Sequence, residues 1–378
     1  MMKKTSIKHL PEDLMVEILS RVPAVYLGRS RSTSKGWNAL IKDGKFVKKH
    51  SANAPRQSVV IMLIGFRVYL ARFYIHGLEE NVIKVTSQFS LKDPISNPSK
   101  EVYIVDIFHC DGLLLCTTKD NRLVVWNPCS GETRWMIKPK NSYSNFGYYS
   151  LGKSSCNKYK ILRVDQHGNG YISPCLVEYE IYDFTSNSWR SVGKTRDWSI
   201  PRIKMRGVSV NGDTYWLAHS FSGDSPMKKD MLLCFDFSTE RFERESLPVD
   251  HFSYHPMALP MTREEQKLCL LALRDCNLPV PHIDLWIATK IESTGVMSWR
   301  KFLTVERADP WEFLTFNIGM SYLADQEYKV LVCPGKHGNS NRFLHIVGDD
   351  KYVQVDHHDA GSKCSLLLSY VPTLVHIQ

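Results

Sequence analysis

Three places in the chain carry residue types at spacings that could do chemistry. His251 and His255, in HFSYH, stand four apart, the spacing at which two imidazoles on one helix face could hold zinc. The zinc-peptidase pattern needs glutamate after the first histidine; Phe252 stands there, and Pro256 argues against a helix. The pair reads as structural or exposed. His357-His358-Asp359 contains metal-ligating types, but adjacent side chains rarely point at one ion, so a solvated turn is expected. Gly207-Val-Ser-Val-Asn-Gly212 misses the nucleophile elbow G-x-S-x-G by one residue and ends in a hairpin turn instead of a helix. No P-loop or G-x-G-x-x-G occurs, and Gly168-Asn-Gly170 reads as a turn. The ten cysteines include no C-x-x-C pair and mostly sit in apolar runs, as small buried hydrophobes do. No catalytic residue, metal or cofactor is expected.

What the chain has to position is therefore surface. Its 378 residues, 43% hydrophobic and 23% charged, describe a globular protein. The longest apolar run, near Val59–Phe66, is too short to span a bilayer as a helix. The opening residues lack the apolar core of a secretory signal, and no N-x-[ST] acceptor is present. A cytoplasmic or nuclear protein is the expectation. The formal charge is +9, of which +7 lies in residues 1–50 and only +2 in the rest. The large remainder is nearly neutral, too little charge to neutralise phosphates, so nucleic acid is not expected as the main partner, and with no spanning apolar run neither is a membrane.

The basic segment opens with LPEDLMVEILSRVP. Pro11 suits a first helical position, and Glu12 and Asp13 put negative charge at the positive end of a helix dipole. Leu10, Leu14, Ile18 and Val22 recur every fourth residue, Met15 and Leu19 widen the stripe, and Pro23 ends it. A second helical stretch is expected from about Val25 to Ile41, with Leu27, Trp37, Leu40 and Ile41 apolar and a polar middle. Helices this short cannot bury enough surface alone. The pattern leaves open whether they form a lid on the rest of the chain or insert into a partner.

LPEDLMVEILSRVP followed by L-x-R-x-R-x-x-S-K-x-W-x-x-L-I resembles the F-box motif, over residues 8–49. The resemblance implies docking onto a Skp-type adaptor, and through it onto cullin and RING subunits. It assigns adaptor contacts to Leu10, Pro11, Leu14, Ile18, Leu19, Leu27, Trp37 and Leu40. The sequence departs from the family pattern at Gly28, Ser30, Ser32 and Thr33, where apolar residues are usual. Each departure removes up to about 1–3 kcal/mol of burial, which implies weaker adaptor binding or none.

From about Ser58 the texture changes to short β-branched and aromatic runs between turns, with Asn211-Gly212 a strong hairpin signal. VVWNPCSGETRW, EIYDFTSNSW and LCFDFSTERF share one plan, and LWIATKIESTGVMSW is a longer copy. Their leading aromatics Trp126, Tyr182, Phe235 and Trp286 stand 56, 53 and 51 residues apart. A period of about 50 residues is that of kelch-like propeller blades, about six for residues 58–378, with a β-sandwich as the alternative. FHCDGLLLC, V-W-N-P-x-x-G and GVSVNG-x-x-YWLA resemble the kelch-related F-box-associated domain of plant F-box proteins, which implies a substrate-recognition domain. Tyr148, Tyr149, Trp198 and Trp311, outside clear strand patterns, are the candidate substrate contacts. The expected fold is mainly β, a helical F-box followed by a kelch-like β-propeller. The expected function is a non-catalytic substrate receptor of an SCF-type ubiquitin ligase. A propeller enzyme or lectin with a helical lid, or a degenerate F-box protein outside any ligase, are the alternatives.

Overall fold

The computed structural model describes residues 11–377 except 31–34, 56–58, 76–81, 94–96, 137–146, 169, 171–172, 202–205, 222–227, 250–252, 265, 275–281, 291–296, 307–320, 335–342, 350–351 and 357–363. Four short helices, α1 (Glu12–Leu19), α2 (Ala24–Ser30), α3 (Lys35–Lys42) and α4 (Gly44–Asn53), precede six sheets of four or five strands. The sheets are the blades of a β-propeller. Blade 1 runs from Cys364–Tyr370 through Val59–Ile64 and Arg67–Tyr74 to Val82–Phe89, so a strand from near the end of the chain supplies its innermost edge. Val59 pairs with Tyr370 and Leu63 with Leu366. This antiparallel closure ties the ring without leaving an open inner edge.

Six apolar clusters hold the ring, each shared by two neighbouring blades, and the last joins blade 6 back to blade 1 through Leu344, Ile346, Val60 and Met62. Val59–Ile64 is buried at every position because it packs on both faces. The repeated aromatics Trp126, Tyr182, Phe235 and Trp286 all fall on the third strand of their blades, counted from the centre. Tyr182 faces Trp189 across the hairpin and Phe235 faces Phe242. The sequence repeat is thus the outer hairpin of blades 2 to 5.

The second helical stretch is described as α2 and α3, on either side of residues 31–34, which lie outside the described residues. Pro11 is the residue before α1 rather than its first member; its carbonyl accepts from the Leu14 and Met15 N–H groups at 3.1 Å each. α4 was not expected. Its start is set by Asp43, whose carboxylate accepts from the Phe46 N–H at 2.9 Å.

Candidate functional site: the docking helices and the two propeller faces

Antiparallel blades put the turns joining strands one to two and three to four on one face, here the near face. The remaining connections lie on the far face. The helices sit on the near face. Leu19, Ala24, Leu27, Ile41 and Phe46 form a core that also contains Leu374 and touches Cys129, both from the β-domain. Gly28 explains itself here: a Cβ at that position would lie 2.2 Å from the Cys129 carbonyl oxygen. The departure from the family pattern is what lets α2 approach blade 2. Within the helices, His50 Nε2 donates to the Val22 carbonyl at 2.8 Å, and Asn53 Nδ2 donates to Ser20 Oγ at 3.2 Å. Burial lowers the pKa of His50, and the Val22 bond opposes the shift.

Blade 2 supplies the anchor. Asn127 is fully buried; its Nδ2 donates to the carbonyls of Thr373 at 3.2 Å and Val375 at 2.8 Å, and its Oδ1 accepts from the Cys129 N–H at 2.9 Å and the Ser130 N–H at 3.2 Å. The Thr373 hydroxyl donates to the Asp111 carbonyl at 3.1 Å. His109 Nε2 accepts from the Gly112 N–H at 3.0 Å, and burial pushes its pKa down to about 4 despite nearby Asp111. The FHCDG and WNP motifs are therefore clamps on residues 371–377, and that segment carries Leu374 into the helical core. Between α4 and the near-face mouth lies a polar cavity of ≈ 380 Å³ lined by His50, His109, Asp111, Lys153, Asn211, Glu264 and Thr373 among others.

The expected adaptor residues divide into two sets. Pro11, Leu14, Ile18 and Trp37 face outward, with Leu14 53% and Ile18 56% exposed. Leu19 and Leu27 are buried and Leu40 is half-buried, so they support that face from behind. Leu10 lies outside the described residues. Tyr26, not expected as a contact, is 49% exposed and hydrogen-bonds Arg72 of blade 1.

The three expected substrate aromatics that are described, Tyr148, Tyr149 and Trp198, do not form a surface. Tyr148 opens the innermost strand of blade 3 and Trp198 pairs with blade 4; both are buried in the apolar cluster between those blades, with Trp198 packed on Phe242. Tyr149 packs edge-on against Trp189. Their glycine and aspartate neighbours are strand-end turn residues, which made them look like loop positions. Trp311 lies outside the described residues.

His255 lies on a strand, Tyr254–Ala258, and is exposed; His251 and His357–Asp359 lie outside the described residues. Ser209 is in a strand that ends in the Asn211–Gly212 turn, with φ of 54° and 95°, as its sequence required. A charge cluster surrounds Asp284 of blade 5. Burial opposes its ionisation, but hydrogen bonds from Lys301, Thr304, Arg274 and Tyr254 outweigh it and lower the pKa. With the carboxylate fully buried and satisfied, the cluster ties strands together. Among the described residues no helix is long and apolar enough to cross a membrane.

Residues 7–49 match the F-box domain family, and residues 59–377 match the family described as the F-box associated beta propeller domain. An Arabidopsis thaliana chain named as an F-box protein, At4g10190, is 55% identical over 377 residues, 100% of both chains. A second, At3g21130, is 52% identical over 100% of this chain and 99% of its own. A third, At3g21120, is 49% identical over 98% and 99%. The chain belongs to the plant F-box proteins that carry an F-box-associated β-propeller domain.

Proposed function

We propose that this protein is the substrate receptor of an SCF-type ubiquitin ligase, docking a Skp-type adaptor through α1–α3 and a target protein through the propeller. The observation that carries the reading is the division within the helices. Leu19, Leu27 and Ile41 anchor them, while Leu14, Ile18 and Trp37 are left facing solvent. A lid would turn that stripe inward. A groove-filling helix pair holds it outward on a rigid back. The serine- and threonine-rich 30–33 segment reduces the apolar area available, and the adaptor contact rests chiefly on Leu14, Ile18 and Trp37. The protein itself performs no chemistry. It holds target and ubiquitin-bearing enzyme together, so that transfer proceeds at high effective concentration. Buried thiols that need no oxidation fit a cytoplasmic or nuclear setting.

Co-purification with a plant Skp-type adaptor tests the reading. The parent retains the adaptor, and Leu14→Ala with Trp37→Ala weakens capture by about 30-fold or more, the loss expected for two anchor residues. Adaptor capture that survives the double substitution, or is absent from the parent, overturns it.

A further inference from the structure

A receptor needs a recognition surface away from its adaptor-docking helices, and the far face of blades 1 and 2 carries a candidate with its own signature. Two-residue hairpin turns with positive φ at both positions normally take Asn, Asp or Gly. The near-face turns Asp111–Gly112 (φ 50° and 79°) and Asn211–Gly212 (φ 54° and 95°) obey. The far-face turn of blade 1 is Gly65–Phe66, with φ of 55° and 68°. A bulky aromatic held left-handed is strained, and strain of this kind persists where something else requires it. The core does not require it, because Phe66 is 46% exposed.

Two further exposed apolar side chains stand beside it. Tyr103, on the connection into blade 2, is 40% exposed, and Val105, on that blade's innermost strand, is 47% exposed. The backbone fixes the three segments together: the Ile104 N–H donates to the Phe66 carbonyl at 2.9 Å, and the Lys119 N–H donates to the Tyr103 carbonyl at 2.8 Å. The Lys119 ammonium lies 5.2 Å from the Phe66 ring centroid and 5.9 Å from that of Tyr103. The nearby carboxylates are engaged elsewhere: Asp120 with Arg122 at 2.7 Å, Glu101 with Arg67 at 3.0 Å and Asp106 with Arg206 at 2.6 Å. No carboxylate pairs with Lys119 among the described residues.

We propose that Phe66, Tyr103, Val105 and Lys119 form a docking site for a short segment of a partner protein. The segment lays an apolar side chain against the two rings and a neighbouring carboxylate against Lys119. Charge complementarity sets the occupant: one uncompensated cation inside an apolar rim fits a single acidic side chain next to a greasy one, and is too little for a nucleic-acid backbone. The site deepens the receptor reading and rests on it for the fate of the bound protein.

Fluorescence anisotropy on the full chain tests the site, using labelled pools of short peptides in which one Leu or Phe is flanked by Glu. Matched pools replace Glu with Gln or Lys. The acidic pool is expected to bind about tenfold more tightly than the Gln pool, and Lys119→Glu to reverse the order of the Glu and Lys pools. Phe66→Asn is expected to weaken binding about tenfold without lowering the melting temperature, because Asn accepts positive φ. Equal binding of all pools, or parent-like binding by both variants, overturns the site. So does self-association that these substitutions abolish, which would assign the patch to a second copy. The Leu14→Ala, Trp37→Ala variant keeps peptide binding, so failure of adaptor docking and failure of this site are read separately.

Discussion

Glu12–Leu19 and Val59–Ile64 are both short and rich in apolar residues, yet every residue of the strand is buried and only Leu19 of the helix is. The contrast runs through the molecule. Of the eight large hydrophobics exposed among the described residues, Leu14, Ile18, Tyr26 and Trp37 belong to the helices, a small fraction of the chain. The propeller spends its apolar side chains on six shared cores. The helices spend just enough on the propeller to be held still. An outward apolar stripe is useful for docking only when its backing cannot turn over and hide it, and Leu27, Ile41 and Leu374 provide that backing.

Substitutions on the two sides of the helices should therefore behave oppositely. Leu27→Ala, at a fully buried position, is expected to destabilise the helical segment by about 3 kcal/mol, while Ile18→Ala changes stability by under about 0.5 kcal/mol. Urea unfolding followed by hydrogen exchange in residues 12–53 measures both, and equal losses would erase the distinction. Asn127→Ala leaves two backbone carbonyls and two N–H groups without their partner, and should cost about 2–4 kcal/mol. Its signature is loss of exchange protection in the helices, although Asn127 belongs to the propeller. Gly28→Ala drives a methyl into a backbone carbonyl, with about 1–3 kcal/mol lost locally and the propeller's own melting unchanged.

A further expected effect is on pH. His109 has a pKa of about 4 in the folded protein, below the ordinary histidine value, so the unfolded chain binds its proton first as pH falls. Its contribution is complete above about pH 6.5 and is lost progressively down to about pH 4, on the order of 1–3 kcal/mol. Chemical denaturation across that range should show the loss, and His109→Gln should flatten it.

Much of this was legible in the sequence. The blade period came from Trp126, Tyr182 and Phe235 because the outer hairpin repeats the same turn chemistry in blades 2, 3 and 4. The outward stripe came from the four-residue spacing of Leu14 and Ile18. What stayed hidden depends on partners distant in sequence. Tyr148 and Trp198 read as loop aromatics because their burial is supplied by a neighbouring blade. Gly28 read as a worn position because Cys129, which demands it, lies about a hundred residues on. Phe66 read as the tail of an apolar run, although Gly65 beside it marked a possible turn. α4 had a signal too, in Asp43 placed before Phe46, Val47 and His50.

Residues 371–377 reach across from the closing strand, are gripped by Asn127 and the Asp111 turn, and put Leu374 under α2. The helices precede the propeller in the chain, yet Leu374, the side chain that α2 rests on, follows Leu27 by 347 residues. Without the closing strand and the segment after it, the ring is open and the helices have no seat. Seating of the helices is thereby contingent on closure of the propeller ring.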